Sequence, residues 1–155
     1  MFMSKFMDPI NYWNTTIHQD IPATKLLGIT IQSLSEQAIQ VTAPLEQNIN
    51  GHQTAFAGSI YTLGVTSGWT LISAFLKSNN IKASVVAGQA DISYKRPIAG
   101  DLIANCQFDN QSPLINWQQS WSLNKSAKQP LIIEVSHDAI VSAKITATFY
   151  IKKIS

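Results

Sequence analysis

Cysteine occurs only once in the 155 residues, at Cys106, so no internal disulfide can form and the cytoplasm is the expected compartment. Leu102, Ala104, Cys106 and Phe108 alternate with polar residues, which makes Cys106 a small buried hydrophobe on one face of a strand. A reactive thiolate needs a polar, partly exposed setting instead. Charge is scarce as well. Asp, Glu, Lys and Arg make up 13% of the chain, about half the usual share, against 45% hydrophobic residues. Too few charges remain for a fully solvated surface, so another subunit is expected to cover part of it. The net charge of +2 is scattered, with only Lys95-Arg96 and Lys152-Lys153 adjacent, and that excludes a track for nucleic-acid phosphates. Met1 to Met7 lacks the apolar stretch and small-residue cleavage site of an export signal, so no export is expected. The histidines lack metal-ligand spacing and no glycine-rich phosphate loop occurs; neither a metal nor a cofactor is expected. Internal repeats, low-complexity tracts and linkers are missing too, and the length suits one domain over residues 1–155.

What is present is periodic. Asp8-Pro9 can cap and open a helix over about residues 8–20, with Ile10, Trp13 and Ile17 on one stripe, and Pro22 is expected to end it. Ile29 and Ile31, then Ile39, Val41 and Ala43, alternate with polar residues on either side of Ser35-Glu36-Gln37. That pattern predicts a hairpin of Leu27–Leu34 and Ala38–Pro44 with one buried face. Four more strands show the same period of two: Ala90, Ile92 and Tyr94; Leu102 to Phe108; Leu131, Ile133 and Val135; and Val141 to Ile151. Ser112-Pro113 starts a short helix with Leu114, Trp117 and Trp121 on one stripe, the indoles serving as packing anchors or as walls of an apolar tunnel.

Between Gln47 and Leu76 there is no Asp, Glu, Lys or Arg, and from Phe56 onward apolar and small residues fall on every side of a helical projection. Such a helix is buried, in protein or in lipid. Gly64 and Gly68 match the small-xxx-small spacing of membrane helices. The hydroxyls of Ser59, Thr62, Thr66, Ser67, Thr70 and Ser73, and flanks without basic clusters, favour a protein core, so no membrane partner is expected. The expected class is α+β: one long, very apolar helix covered by a curved antiparallel sheet, whose edges and outer face call for a homodimer or a homotetramer.

The polar stretch from Asn48 to Ser59 leads into this helix. A helix start leaves backbone N–H groups unpaired and partly positive, a ready site for a carbonyl or an oxyanion. Gly58 lets a ligand approach that backbone. The alternative is that Thr54 only caps the helix and Gly58 only lets a strand pack near it.

Asn50 to Leu63, with Thr54, Ala57-Gly58, Ile60 and Thr62, resembles the asparagine-to-glycine loop and helix start of hotdog thioesterases of the phenylacetyl-CoA thioesterase type. Tyr94-Lys95-Arg96-Pro97 and Gly100-Asp101 resemble that family's strand, proline turn and corner. More closely, Thr54-Ala55-Phe56-Ala57-Gly58-Ser59-Ile60-Tyr61-Thr62-Leu63 with Gly68-Trp69 is similar to thioesterase-like domains that follow an N-acetyltransferase domain in some bacterial proteins. The similarity spans roughly Ile21 to Ile151 and covers no acetyltransferase stretch.

The resemblance implies a hotdog fold and an acyl-CoA or acyl-carrier thioester as partner. Asn48, Phe56, Ala57, Gly58, Ser59, Thr62 and Val65 then line the substrate. In the family's hydrolases an Asp or Glu on the central helix is the general base or the nucleophile, and the position aligned by Ala57-Gly58 and Leu63 holds Val65 here. The base must come from elsewhere. His52, with Asn48 and Asn50 to orient a water, is one candidate, and Asp91, from an adjoining strand or a partner subunit, is another. Rival readings are a non-catalytic acyl-thioester binding module that lost the acid, a dehydratase suggested by Gly51-His52, and a purely structural role. Ser59 lacks the G-x-S-x-G setting of a serine nucleophile.

Overall fold

The computed structural model describes residues 8–109 and 112–155; the reading of Met1–Met7 falls outside them. Helix α1 (Pro9–Asp20) starts where Asp8 accepts a hydrogen bond from the Ile10 N–H at 3.2 Å and Pro9 fills the first turn, and it buries Trp13 and Ile17. Pro22 does more than end it. The proline opens a second, short helix α2 (Pro22–Leu26), in which the buried Thr24 hydroxyl lies 2.9 Å from the Ile17 carbonyl oxygen and 2.8 Å from that of Ile21. The first strand therefore begins later than the alternation suggests, as β1 (Thr30–Leu34), and pairs with β2 (Ala38–Ala43).

After a 3₁₀ turn at Leu45–Asn48 comes the 22-residue helix α3 (Ala57–Ser78), then β3 (Ala83–Tyr94), β4 (Leu102–Gln107), α4 (Pro113–Ser122), β5 (Ala127–His137) and β6 (Ile140–Lys153). The strands form one antiparallel sheet in the order β1-β2-β4-β5-β6-β3. Helix α3 packs on β2, β3, β4, β5 and β6. Five strands span roughly 19 Å and a helix about 10 Å, so a sheet that touches the helix with all five must curve around it.

Close approach of helix and sheet explains two glycines. A Cβ on Gly64 would run into the Ile145 side chain of β6, and one on Gly68 would lie 2.8 Å from the Phe149 ring. The small-xxx-small spacing thus serves helix-on-sheet packing, and 67% of the most apolar window of α3 is buried inside the protein. Trp117 of α4 is fully buried against Phe75 and Phe108, edge to face, and its indole N–H donates to Gln129 Oε1 at 2.9 Å. Trp121 donates to the Ile151 carbonyl at 3.0 Å. Both indoles are packing anchors.

The two sheet edges differ. At β1, the Asn14 side chain of α1 accepts from the Ile31 N–H at 2.7 Å and donates to the Ile31 carbonyl at 3.3 Å, while the His18 ring contacts the Ile29 carbonyl at 2.7 Å. One edge is therefore covered by a helix. At the other, β3 pairs only with β6 and leaves Val86 58% exposed.

Candidate active site

Asn50 organises the loop that leads into α3. Its Oδ1 accepts from the N–H groups of His52 and Thr54 at 2.8 and 3.2 Å, and its Nδ2 donates to Thr54 Oγ1 and the Ala55 carbonyl at 3.0 and 3.3 Å. An asparagine that bonds its own downstream backbone holds a tight turn, here with Gln53 at φ 64°. Below the loop, Ala55 N–H donates to the Ile98 carbonyl at 2.8 Å and Phe56 N–H to the Asn48 carbonyl at 2.7 Å. Asn48 is 2% exposed, and its Nδ2 donates to the carbonyls of Leu27 and Pro44 at 2.8 and 2.7 Å. Asn48 and Asn50 are thus engaged in shaping the loop.

Thr54 does not cap the helix, because its hydroxyl is held by Asn50 and the residue at the cap position is Phe56. The Phe56 carbonyl accepts from the N–H groups of Ser59 and Ile60 at 3.0 and 3.1 Å. The N–H groups of Ala57 and Gly58 have no hydrogen-bond partner among the described residues. Two adjacent free donors thus stand at the positive end of a 22-residue helix. The ring of Phe56, itself 55% exposed, lies across Gly58, so that a Cβ there would sit 2.5 Å from Phe56 Cε1.

Around these donors the structure gathers Thr62, whose hydroxyl donates to the Gly58 carbonyl at 2.8 Å, the buried Ser59, and Tyr94 at the end of β3, whose hydroxyl donates to the Ala57 carbonyl at 2.9 Å. Burial, and next to it the neighbouring Tyr61, raise the Tyr94 pKa, which keeps the hydroxyl protonated. Tyr61, Val65 and Trp69 follow one another at four-residue spacing on the α3 stripe beside β3, where the Trp69 indole donates to the Val85 carbonyl at 3.0 Å. No carboxylate lies on α3; its one charged residue is Lys77 in the last turn.

His52 is exposed in the loop, and its ring has no polar partner among the described residues. Asp91 is not brought to this cluster within the chain. Ala90 and Ile92 pack toward the core, so the exposed Asp91 between them points to the outer face of the sheet, opposite Thr146. A cavity of about 670 Å³ lined by Tyr12, Trp13, Leu34, Phe75 and Lys77 lies at the other end of α3. At 1.5 Å per residue, Phe75 is about 26 Å along the helix from Gly58, so the two are separate. Among the described residues no His, Cys, Asp and Glu side chains gather in a group that could hold a metal. Nothing in the sequence marks Tyr94 or Tyr61 as site residues: both are exposed, Tyr94 by 48%, and the bond from Tyr94 to Ala57 joins elements 37 residues apart.

Residues 10–153 match the model of a family described as "Putative thioesterase (yiiD_Cterm)". The chain belongs to this family. Among solved structures it is similar to a Shewanella oneidensis protein described as a "putative thioesterase", with 28% identity, 93% of this chain and 97% of that one covered, and a TM-score of 0.81. A Chlorobaculum tepidum protein of unknown function matches with 25% identity over 93% of this chain and 94% of its own, at a TM-score of 0.87. A Haemophilus influenzae thioesterase matches in fold, at 18% identity, a TM-score of 0.73 and coverage of 93% and 90%. The family member described here has the hotdog fold of these thioesterases, a long helix held by an antiparallel sheet.

Proposed function

We propose that residues 1–155 form one cytoplasmic hotdog thioesterase that hydrolyses an acyl-CoA or acyl-carrier thioester at the start of α3. The observation that carries this reading is the pair of unpaired N–H groups at Ala57 and Gly58. Their thioester carbonyl lies along the helix axis, with Phe56, Ala57, Gly58, Ser59, Thr62 and Val65 around the acyl group and Asn48 fixing the loop behind it. Water oxygen bonds to the carbonyl carbon and the charge gathers on the carbonyl oxygen, where the two donors stabilise it. The C–S bond then breaks. His52, on the loop held by Asn50, takes the water proton and returns it to the leaving thiolate, giving a free acid and a thiol. Lys95 and Arg96, exposed directly after Tyr94, are positive charges close in sequence to this site and suited to a CoA phosphate. Asp91, on the outer face of the sheet, takes no part in this mechanism: pairing along β3 keeps that face turned away from the α3 of either copy.

The second copy pairs along β3. An uncovered strand edge invites another strand, and natural edges are usually blunted by charge, proline or a covering helix. The 12-residue β3 has one charge, Asp91, and no proline, whereas Asn14 and His18 cover the opposite edge. A homodimer, or a homotetramer of two such dimers, follows.

The test is release of free thiol from short, medium, long and aromatic acyl-CoAs, measured beside binding of the same compounds. Turnover that is lost in His52→Ala supports the full reading. Tight binding without turnover contradicts hydrolysis and leaves a binding module, and neither binding nor turnover contradicts the site.

A further inference from the structure

We propose that Tyr94 is a positioning residue for this site, holding the Ala57–Gly58 peptide so that its N–H points at the thioester carbonyl as a strengthened donor. The inference rests on the thioesterase reading above and adds a residue from a different element to it.

The two vacant donors belong to two peptide units. The Phe56 carbonyl accepts from Ser59 and Ile60, bonds that any helix start supplies. The Ala57 carbonyl accepts at 2.9 Å from Tyr94, which comes from the end of β3. Carbonyl and N–H of one peptide share a delocalised π system, so a hydrogen bond to the oxygen draws density from nitrogen and makes its proton a better donor. Thr62 makes the same contact one peptide further on, at the Gly58 carbonyl, but there the N–H of Ser59 is already spent on Phe56. Tyr94 is thus the side chain whose bond ends in a vacant donor.

Its platform is fixed. Tyr94 pairs with Ala143 of β6, and the next two N–H groups, of Lys95 and Arg96, both reach the Ser142 carbonyl, at 2.8 and 3.2 Å. The phenol holds its proton through the neutral range at its ordinary pKa of 10.0, and the shift is upward from there.

The experiment compares wild type with Tyr94→Phe, which removes one hydroxyl and keeps the ring. A donor that matters most when charge builds on the carbonyl acts on kcat rather than KM. The expected loss in kcat is on the order of tenfold, below the roughly hundredfold or more for outright loss of an oxyanion donor, with KM unchanged. The second readout is the carbonyl ¹³C resonance of a bound hexanoyl-CoA analogue in which CH₂ replaces the thioester sulfur. It should lie downfield in wild type and move back upfield in Tyr94→Phe. If that variant does not fold, 3-fluorotyrosine at position 94, a stronger donor of nearly the same shape, should move the resonance further downfield at mildly acidic pH. A purely structural tie predicts a lower melting temperature with kcat and the carbonyl resonance unchanged, and that result overturns the proposal alone. If wild type neither hydrolyses acyl-CoAs nor binds the ketone, the thioesterase reading fails and Tyr94 falls with it.

Discussion

The resemblance to hotdog thioesterases sets Val65 at the place of the helix acid, and the consequence of that alignment is kinetic. Loss of general-base help typically costs on the order of a hundred- to ten-thousand-fold in rate, so turnover by the wild type should be slow. Val65→Asp should raise kcat for an acyl-CoA that the wild type already hydrolyses. It should also lower the melting temperature, because the side chain is half-buried and a new carboxylate there lacks partners. An unchanged or lower kcat in a folded variant would show that Val65 does not face the reacting carbonyl. Cys106 offers a separate check. It is 4% exposed, and burial, with Asp109 adding repulsion, raises its pKa from 9.0 to about 12. Below the free thiol's pKa both folded and unfolded chains keep the proton; between there and about 12 only the unfolded chain releases it. Cys106 therefore contributes stability that is fully present at neutral pH and falls as the solution becomes alkaline. An aromatic disulfide reagent should leave the native thiol untouched at neutral pH and modify it on unfolding; rapid native labelling would contradict its burial. The burial of Cys106 was legible because alternation alone decides it. Asn48, Asn50 and Thr54 were legible only as polar residues before a helix, since which amide bonds which backbone group depends on a three-dimensional turn.

Elements were readable where one face is buried and the other wet. The hairpin, β4, β6 and α3 follow their periodicity to within a few residues. Departures have local causes. The first half of β3 hides because its inward residues Ala83 and Val85 are only partly buried and the register slips between Ala87 and Gln89, at Gly88, which the Tyr150 ring covers. Residues 127–130 of β5 hide behind Pro130, a residue that interior strands exclude. Here β4 pairs with β5 only from Ile133 to Ser136, so Pro130 has β6 on one side and no strand on the other. At the level of packing, Gly64 leaves less room against the sheet than Gly68, the other glycine of α3 that faces it. Gly64→Ala should cost about 1–3 kcal/mol despite its higher helix propensity, since the added methyl must displace Ile145 in a filled core. Urea melts that show equal or greater stability would mean that the end of the Ile145 side chain swings aside without loss.

For the whole molecule, few charges and one bare strand edge call for assembly. Light scattering at micromolar concentration should give a dimer or a multiple of it, and Val86→Lys, which charges the open β3 edge, should shift it toward monomer. A stable wild-type monomer would contradict pairing along β3. The central claim is that the thioester carbonyl is held by the first turn of α3, and Gly58→Val tests it most directly. A branched side chain there must displace the Phe56 ring, whose atoms are the nearest to an added Cβ, and it stands beside the free N–H groups. Initial rates of thiol release should be measured for wild type and Gly58→Val on the acyl-CoA that the wild type turns over fastest, with thermal melts of both. The account predicts that the variant melts near the wild type and has lost both binding and hydrolysis; a folded Gly58→Val protein that hydrolyses at the wild-type rate would contradict it.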